Sequence, residues 1–389
     1  MRTVPVGLLV GVLAAVGCGS GSEESPPANA GSGGGAAGTG QGGTAGMGQA
    51  GDGQGGAGQA GVGQGGAAQG GSAQGGAGQA GAGQGGGPGE SVTLRSQPCE
   101  KNPQQASKCE SYEVACEGLE PAVVDIAYYD AKGAKKGTIL FGSGGDGTGY
   151  YNLNESTALQ DAGYAVVDRR WPKGWFTGAK DGPQQAACRL ASVLRMLRTT
   201  VAAKGALCAT GNSGGSAENV YAWTWQGAGQ SLDFALPTSG PFHRLDLACQ
   251  GQSDAAWVTE CEALMAQRCP DCASSSCQLA GARGLLDISF DNQTRCTQPG
   301  PGDLQLLKQR SPTQGPFVAK LGKLPIKFLV GKDDPGAYAP LATALVDDLL
   351  AAGAKVEISY VTGAPHEMDQ TPEGASAIRD ALLAGCKTP

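Results

Sequence analysis

The sequence has almost no histidine, few aromatic residues and no run of basic residues. Among its 389 residues there are two histidines, and phenylalanine, tryptophan and tyrosine together make up 5%. Lysine and arginine number 28 against 35 aspartates and glutamates, which gives a formal net charge of −7. Because nucleic-acid-binding domains carry a basic patch or stripe, this charge distribution argues against a nucleic-acid partner.

The apolar run at the N-terminus, Val6 to Val16, is too short to cross a bilayer, which needs about 20 residues. It has the length of the apolar part of an export signal and ends in Ala15-Val16-Gly17-Cys18. This ending resembles the lipobox of bacterial lipoproteins, with Ala15 where leucine is usual. The resemblance implies a signal peptide over residues 1–18 and a lipid anchor on Cys18. The protein is then held in the cell envelope, at the outer membrane or cell surface, or is secreted if Cys18 is not lipidated.

Residues 19–90 consist almost entirely of glycine, alanine, glutamine and serine, with units such as Gly53-Gln54-Gly55-Gly56-Ala57. A segment without apolar side chains to bury cannot offset the entropy lost when its backbone is ordered. We therefore predict a disordered tether with an r.m.s. span of about 45 Å. Residues 91–389 remain for one folded domain.

The chain has 13 cysteines, and setting Cys18 aside leaves 12, an even number that fits six disulfides. Such a density is typical of exported proteins and unusual in a reducing cytosol. An alternative is that four clustered cysteines bind zinc: Cys261, Cys269, Cys272 and Cys277. Disulfides are favoured over a metal site because export is predicted and no histidine lies nearby. The pairing does not follow from the sequence.

Short apolar stretches alternate with amphipathic ones from residue 91 onward. Strands are predicted over residues 123–129, 138–141, 165–168, 207–210, 234–236, 326–330 and 356–361, and helices over 184–201, 217–225, 255–269, 341–352 and 374–383. This alternation predicts an α/β fold, a mostly parallel sheet with helices on both faces. The alternation lapses over residues 241–318, where six cysteines predict a cysteine-rich cap insertion.

The run Gly211-Asn212-Ser213-Gly214-Gly215 fits G-x-S-x-G, with a predicted strand before it and a predicted helix after it. In this motif a tight strand-to-helix turn exposes the serine oxygen above the sheet, and small flanking residues let the strand and helix approach. The backbone N–H of Gly214 would then face the oxyanion that forms during acyl transfer. We predict that Ser213 is a nucleophile.

A nucleophilic serine needs a base and an acid, and both follow strands downstream of Ser213. His366 follows the strand 356–361, and Asp333 and Asp334 follow the strand 326–330. This order of serine, acid and histidine resembles the α/β-hydrolase superfamily over about residues 120 to 389. The resemblance implies that His366 is the base. The Gly-x-x-Asp spacing of the superfamily favours Asp334 over Asp333 as the acid.

The same resemblance assigns the other histidine and the second oxyanion donor. His243 comes before the acid in the chain, so it is placed in the cap or at the pocket rim. The loop 142–147 lies where the superfamily has a His-Gly or glycine-rich turn, which places the donor N–H at Ser143, with Gly144 next. The superfamily histidine is replaced by Phe141. A phosphate-binding loop is the alternative, but the loop lacks the Walker lysine.

Two tryptophans, Trp171 and Trp175, follow the strand 165–168 at its carboxyl end, where sheets of this kind have their active sites. They either line a substrate pocket or pack the loop onto the domain. Two interpretations are open for Arg169 and Arg170: their charges are solvated, or they bind an acidic group of the substrate.

The sequence therefore predicts an exported serine hydrolase. The leading hypothesis is a carboxylic-ester hydrolase with a triad of Ser213, Asp334 and His366. Its substrate is expected to be a small or polymeric ester, and the resemblance implies neither a metal nor an organic cofactor. A serine peptidase or amidase on the same triad is one alternative. A catalytically silent surface binding protein is another. The resemblance does not fix the substrate, because the same fold hosts esterases, lipases, peptidases and other hydrolases.

Overall fold

The computed structural model describes residues 89–103, 105–151, 156–241, 243–250, 254–275, 277, 283–336 and 338–387. The predicted signal peptide, Cys18 and all of the predicted tether except residues 89 and 90 lie outside these ranges. Within them, no helix combines the length and the hydropathy needed to cross a bilayer.

Nine strands form one sheet in the order β1-β2-β3-β5-β4-β6-β7-β8-β9. The strands β1 to β3 are antiparallel to their neighbours, and β3 also pairs antiparallel with β5. The remaining pairings, from β5 through to β9, are all parallel. The predicted mostly parallel sheet is confirmed. The strand bounds are β1 Ser91–Leu94, β2 Lys108–Ala115, β3 Ala122–Tyr129, β4 Gly137–Gly142, β5 Tyr164–Arg170, β6 Ala206–Asn212, β7 Phe234–Thr238, β8 Ile326–Gly331 and β9 Val356–Val361.

Ten α-helices connect or flank these strands in the described ranges. They are α1 Ser156–Asp161, α2 Pro183–Ala186, α3 Cys188–Thr200, α4 Gly214–Thr224, α5 Leu245–Gln250, α6 Ala255–Arg268, α7 Arg283–Ile288, α8 Asp303–Gln309, α9 Tyr338–Ala351 and α10 Pro372–Gly385. Short 3₁₀ helices lie at Ala228–Ser231, Pro312–Gln314, Val318–Lys323 and Met368–Gln370.

The sheet is covered on both faces, because successive residues of its central strands enter two separate apolar clusters. In β4, Leu140 packs in one cluster with Leu190 of α3. Its neighbour Ile139 packs in the other cluster with Leu159 of α1 and Leu382 of α10. Alternate side chains of a strand point to opposite faces, so helices lie on both sides, as predicted.

The cap lies between β7 and β8 and contains α5 to α8, which confirms the predicted insertion. Three disulfides lie within it: Cys249–Cys296, Cys261–Cys277 and Cys269–Cys272. The four cysteines weighed as zinc ligands are therefore joined in pairs. Outside the cap, Cys99–Cys109, Cys116–Cys188 and Cys208–Cys386 complete the six predicted bonds.

The secondary structure differs from the sequence prediction in several places. The helix α1 and the cap helices α5, α7 and α8 were not predicted. The single helix predicted over residues 184–201 is two helices, α2 and α3, which meet at Ala187. The antiparallel strands β1 and β2 were not predicted at all. Most side chains of β1 and β2 stay partly or fully exposed, so these strands lack the apolar run that marks the buried strands.

We expect Cys208–Cys386 to stabilise the fold far more than Cys269–Cys272. The first bond joins residues 178 apart and the second joins residues 3 apart, and the entropy that a cross-link removes from the unfolded chain grows with loop length. Replacing both cysteines by alanine should lower the free energy of unfolding by about 3–5 kcal/mol for the first pair and about 1–2 kcal/mol for the second. Denaturant titration of the two double variants measures this. Equal losses would contradict the expectation.

Candidate active site

Ser213 lies at the turn between β6 and α4 with φ 51° and ψ −113°. A non-glycine residue in this part of backbone space is strained by about 1–3 kcal/mol, so its surroundings must hold it there. The Ser213 N–H donates to the Thr238 carbonyl at 2.9 Å, and the Ser213 carbonyl accepts from the Ala217 N–H at 3.0 Å. The tight strand-to-helix turn expected from the sequence motif is present.

The glycines around Ser213 are needed because other backbone segments pass very close to them. A Cβ on Gly211 would lie 2.7 Å from the carbonyl carbon of Gly215, which links the strand to the helix. A Cβ on Gly214 would overlap the carbonyl oxygen of Gly145, and one on Gly215 would overlap that of Gly142. Any side chain at these positions would push the helix α4 away from β6 or from the loop that follows β4.

His366 is held by Asp334. His366 lies between β9 and α10, and its Nδ1 is 2.8 Å from Oδ2 of Asp334, which follows β8. The other carboxylate oxygen of Asp334 accepts from the Gly336 N–H at 2.9 Å, and the residue is 1% exposed. The ring of Tyr338 packs against the imidazole with centroids 4.2 Å apart. Of the two candidate acids, Asp334 contacts the histidine, whereas Asp333 is exposed.

Ser213 and His366 line one polar cleft at the carboxyl end of the parallel strands. The other residues that line it are Ser143, Gly144, Gly145, Tyr150, Tyr151, Asn212, Glu367, Asp369 and Gln370. In the described part of the chain no hydrogen bond joins Ser213 to His366. Catalytic hydrogen bonds often become short only when substrate binds.

The loop after β4 lies beside Ser213, as the oxyanion assignment requires. A Cβ on Gly144 would lie 3.4 Å from the Ser213 Cβ. The Ser143 hydroxyl donates to the Gly149 carbonyl at 2.6 Å. Sequence reasoning missed Gly145, which lines both the cleft and a second, apolar pocket. All the residues considered for the oxyanion site therefore surround Ser213.

The apolar pocket lies between the Ser213 turn and the cap. Its lining residues are Gly145, Trp175, Phe176, Pro183, Ser213, Gly214, Ala217, Tyr221, Gly240, Pro241, Leu245, Leu286, Ser289 and Tyr338. The candidate Trp175 is therefore a pocket residue. Pro241, Leu245 and Leu286 belong to the insertion, so the cap forms part of the pocket wall.

Two other candidate pocket residues, Trp171 and His243, lie outside the apolar pocket. Trp171 is fully buried, is not among the described residues lining the pocket, and donates from Nε1 to Oε1 of Glu218 at 2.9 Å. Of the two interpretations of Trp171, packing is the one that the structure supports. His243 is buried near the start of the cap, and its Nε2 is 2.7 Å from Oδ2 of Asp348 on α9. It joins the cap to the main body and does not line the pocket.

Arg169 forms a completely buried ion pair with Glu218 of α4, with both side chains 0% exposed. The prediction of a solvated or substrate-binding Arg169 was wrong. Arg170 pairs with Asp125 at 3.1 Å and Glu100 at 3.0 Å. Burial raises the pKa of Glu218 to about 7, although Arg169 and the Trp171 N–H oppose the rise. A glutamate inside an otherwise uncharged buried helix was the signal that sequence reasoning overlooked.

The ion pair supports the loop that flanks Ser213. A Cβ on Gly147 would lie 3.2 Å from Nη1 of Arg169 and 3.0 Å from Cδ1 of Trp171, and one on Gly142 would overlap the guanidinium. The backbone N–H of Trp171 also donates to the Gly147 carbonyl at 2.8 Å. Arg169, Trp171 and Glu218 therefore form a buried support under this loop. Among the described residues, no group of three or more histidine, cysteine or acidic residues could hold a metal ion.

A mostly parallel sheet with the serine turn after β6, the acid after β8 and the histidine after β9 defines the α/β-hydrolase fold. The chain matches no protein-family model and no curated protein.

Solved structures that it resembles include a lipase in an open form, 16% identical, with a TM-score of 0.45 over 68% of this chain and 94% of the lipase. A thermostable carboxyl esterase from Bacillus coagulans is 13% identical, with a TM-score of 0.46 over 68% of this chain and 93% of the esterase. An acylaminoacyl peptidase from Pyrococcus horikoshii is 12% identical, with a TM-score of 0.46 over 77% of this chain. This chain spans about half, 48%, of the peptidase.

We expect Glu218→Ala to lower the free energy of unfolding by about 3–5 kcal/mol at pH 8, because it leaves the Arg169 charge buried without its partner. Denaturant titration measures the loss, and Glu113→Ala, at an exposed position of β2, serves as the control with a change within about 0.5 kcal/mol. A loss below about 1 kcal/mol for Glu218→Ala would show that the pair does not support the site.

Proposed function

We propose that the protein is a serine hydrolase that cleaves carboxylic esters, with Ser213 as nucleophile, His366 as base and Asp334 as the acid that orients the histidine. The main support is the geometry of the site. Ser213, held at positive φ, lines a cleft together with His366, and Nδ1 of His366 bonds to the buried carboxylate of Asp334. This bond places the Nδ1 proton toward Asp334 and leaves Nε2 as the basic nitrogen.

The reaction follows from these positions. The Ser213 oxygen attacks the ester carbonyl while His366 takes the serine proton, and the Gly214 N–H and the loop 143–145 stabilise the oxyanion. His366 then gives its proton to the leaving oxygen, the C–O bond breaks, and the acyl group remains on Ser213. Water, deprotonated by His366, attacks the acyl-enzyme and releases the acid and the free serine.

The apolar pocket beside Ser213 supports an acyl substrate. Pockets for organic ligands are mostly apolar with a few polar groups at the reacting end, and this pocket has Ser213 and Gly214 at one side of an otherwise largely apolar wall.

We expect Asp334→Asn to lower kcat/KM for p-nitrophenyl butyrate by about 10³–10⁴-fold, because the amide favours the wrong imidazole tautomer. Asp333→Asn is the matched control. It changes the adjacent exposed carboxylate in the same way and should alter kcat/KM less than about twofold, since it does not touch His366. Steady-state kinetics on both variants measures the difference.

Ser213→Ala should abolish the activity in the same assay. Equal effects of the two aspartate changes, or turnover that survives Ser213→Ala, would overturn the triad. Faster cleavage of the matched p-nitroanilide than of the ester would replace the esterase by an amidase.

We also propose that the protein is exported and anchored through a lipid on Cys18. The six disulfides support an oxidising compartment, although they do not locate the anchor. In cells fed a clickable palmitate, the protein should become labelled and fractionate with membranes, and Cys18→Ala should lose both properties. Label that persists in Cys18→Ala would disprove this anchor.

A further inference from the structure

Ser213 lies between two cavities of opposite character. On one side is the apolar pocket, where Trp175, Phe176 and the cap residues Leu245 and Leu286 supply the wall. On the other side is the polar cleft, whose lining includes the titratable residues His366, Glu367 and Asp369, all from the short segment 366–370. The two sides of an ester that reacts with Ser213 can therefore lie in different cavities.

The chemistry assigns each half of the substrate to one cavity, provided that the proposed triad is correct. His366 returns the proton to the leaving oxygen, and His366 lines the cleft but not the pocket. The leaving alcohol therefore departs through the cleft. The acyl part lies on the other side of the reacting carbon, toward Gly214 and the apolar pocket.

The cleft carries negative charge that no cation of the described residues neutralises. Neither Glu367 nor Asp369 forms an ion pair in the described part of the chain. Burial raises the pKa of Asp369, a backbone hydrogen bond partly opposes the rise, and the charge of Glu367 adds to it, with no cation among the causes. Of the basic groups nearby, Arg170 is already bound to Asp125 and Glu100. His366 is held by Asp334.

The remaining titratable groups that line this cleft, in the described part of the chain, are Tyr150 and Tyr151. Burial raises the pKa values of Tyr150 and Tyr151, so both phenols stay neutral near pH 8. Asp168 is buried behind Tyr151 and accepts from its backbone N–H at 3.0 Å. Apart from His366, the described residues that line the cleft therefore offer no positive side chain to bind an anionic leaving group.

We propose that Glu367 and Asp369 select esters whose alcohol portion carries a positive charge, while the pocket under the cap takes an apolar acyl group. A cation in the cleft meets two unpaired carboxylates next to the departing oxygen. An anionic alcohol meets repulsion, and a neutral one gains nothing from the charge.

The test compares two esters of butyric acid that have nearly the same shape, the 2-(trimethylammonio)ethyl ester and the neutral 3,3-dimethylbutyl ester. With the full-length protein at pH 8 and low salt, we expect kcat/KM to be about fivefold higher for the cationic ester. The preference should fall toward one at 1 M salt, where the screening length is about 3 Å.

Variants identify the groups responsible. In the double variant Glu367→Gln with Asp369→Asn, the ratio of kcat/KM values should fall to about one, whereas Glu113→Gln, which removes an exposed charge on β2, should keep it. Glu367 is exposed, so Glu367→Gln alone is expected to fold even if the double variant does not, and it should lower the ratio about twofold.

The outcomes separate this inference from the proposed function. Hydrolysis that depends on Ser213 but shows no preference, or a preference that these substitutions leave unchanged, overturns the charge selection and leaves the esterase standing. If neither ester is hydrolysed in a Ser213-dependent way while the protein is folded, the proposed function itself fails.

Discussion

The backbone of Ser213 sits in a conformation that costs about 1–3 kcal/mol, and the surrounding contacts are arranged to hold it. The Ser216 hydroxyl bonds to the Gly211 and Thr238 carbonyls at 2.5 and 2.6 Å. Thr238 donates from its own hydroxyl to Asn212 Oδ1 at 2.9 Å. These bonds tie the ends of β6 and β7 to the first turn of α4. With β6, β7 and α4 fixed together, Ser213 is held where the apolar pocket and the polar cleft meet.

A second constraint on the site is the buried ion pair between Arg169 and Glu218. The Arg169–Glu218 pair connects β5 to α4 in a region without solvent, and its guanidinium lies against the loop after β4. A buried ion pair rarely adds much net stability, because the cost of removing two charges from water offsets most of their attraction. Its effect here is positional, since breaking it would leave an uncompensated charge. Moving the loop that faces Ser213 would therefore disturb this ion pair, and that would cost free energy.

The parts of the site that follow from local chemistry were predictable from the sequence. The serine turn needs glycines at fixed positions, and the Gly-x-x-Asp spacing after β8 pointed to Asp334, which contacts His366. The parallel sheet followed from apolar strands alternating with helices. Each of these features depends on residues near one another in the chain.

The parts that depend on distant contacts were not predictable. Arg169 and Glu218 are 49 residues apart in number, and nothing in either segment alone shows that they pair. Trp171 and Trp175 both follow β5, and the sequence did not distinguish their roles. In the structure Trp171 bonds to Glu218, whereas Trp175 lines the pocket. The pocket wall from the cap depends on where disulfides such as Cys249–Cys296 place short helices, and cysteine pairing cannot be read from spacing.

Covalent labelling is the sharpest test of whether Ser213 is an activated nucleophile. The folded protein is treated with a fluorophosphonate, digested, and mapped by mass spectrometry. We expect one adduct, on the peptide containing Ser213, formed quickly in the wild type and lost in Ser213→Ala. An adduct on another serine, or no adduct on a correctly folded protein, would contradict it.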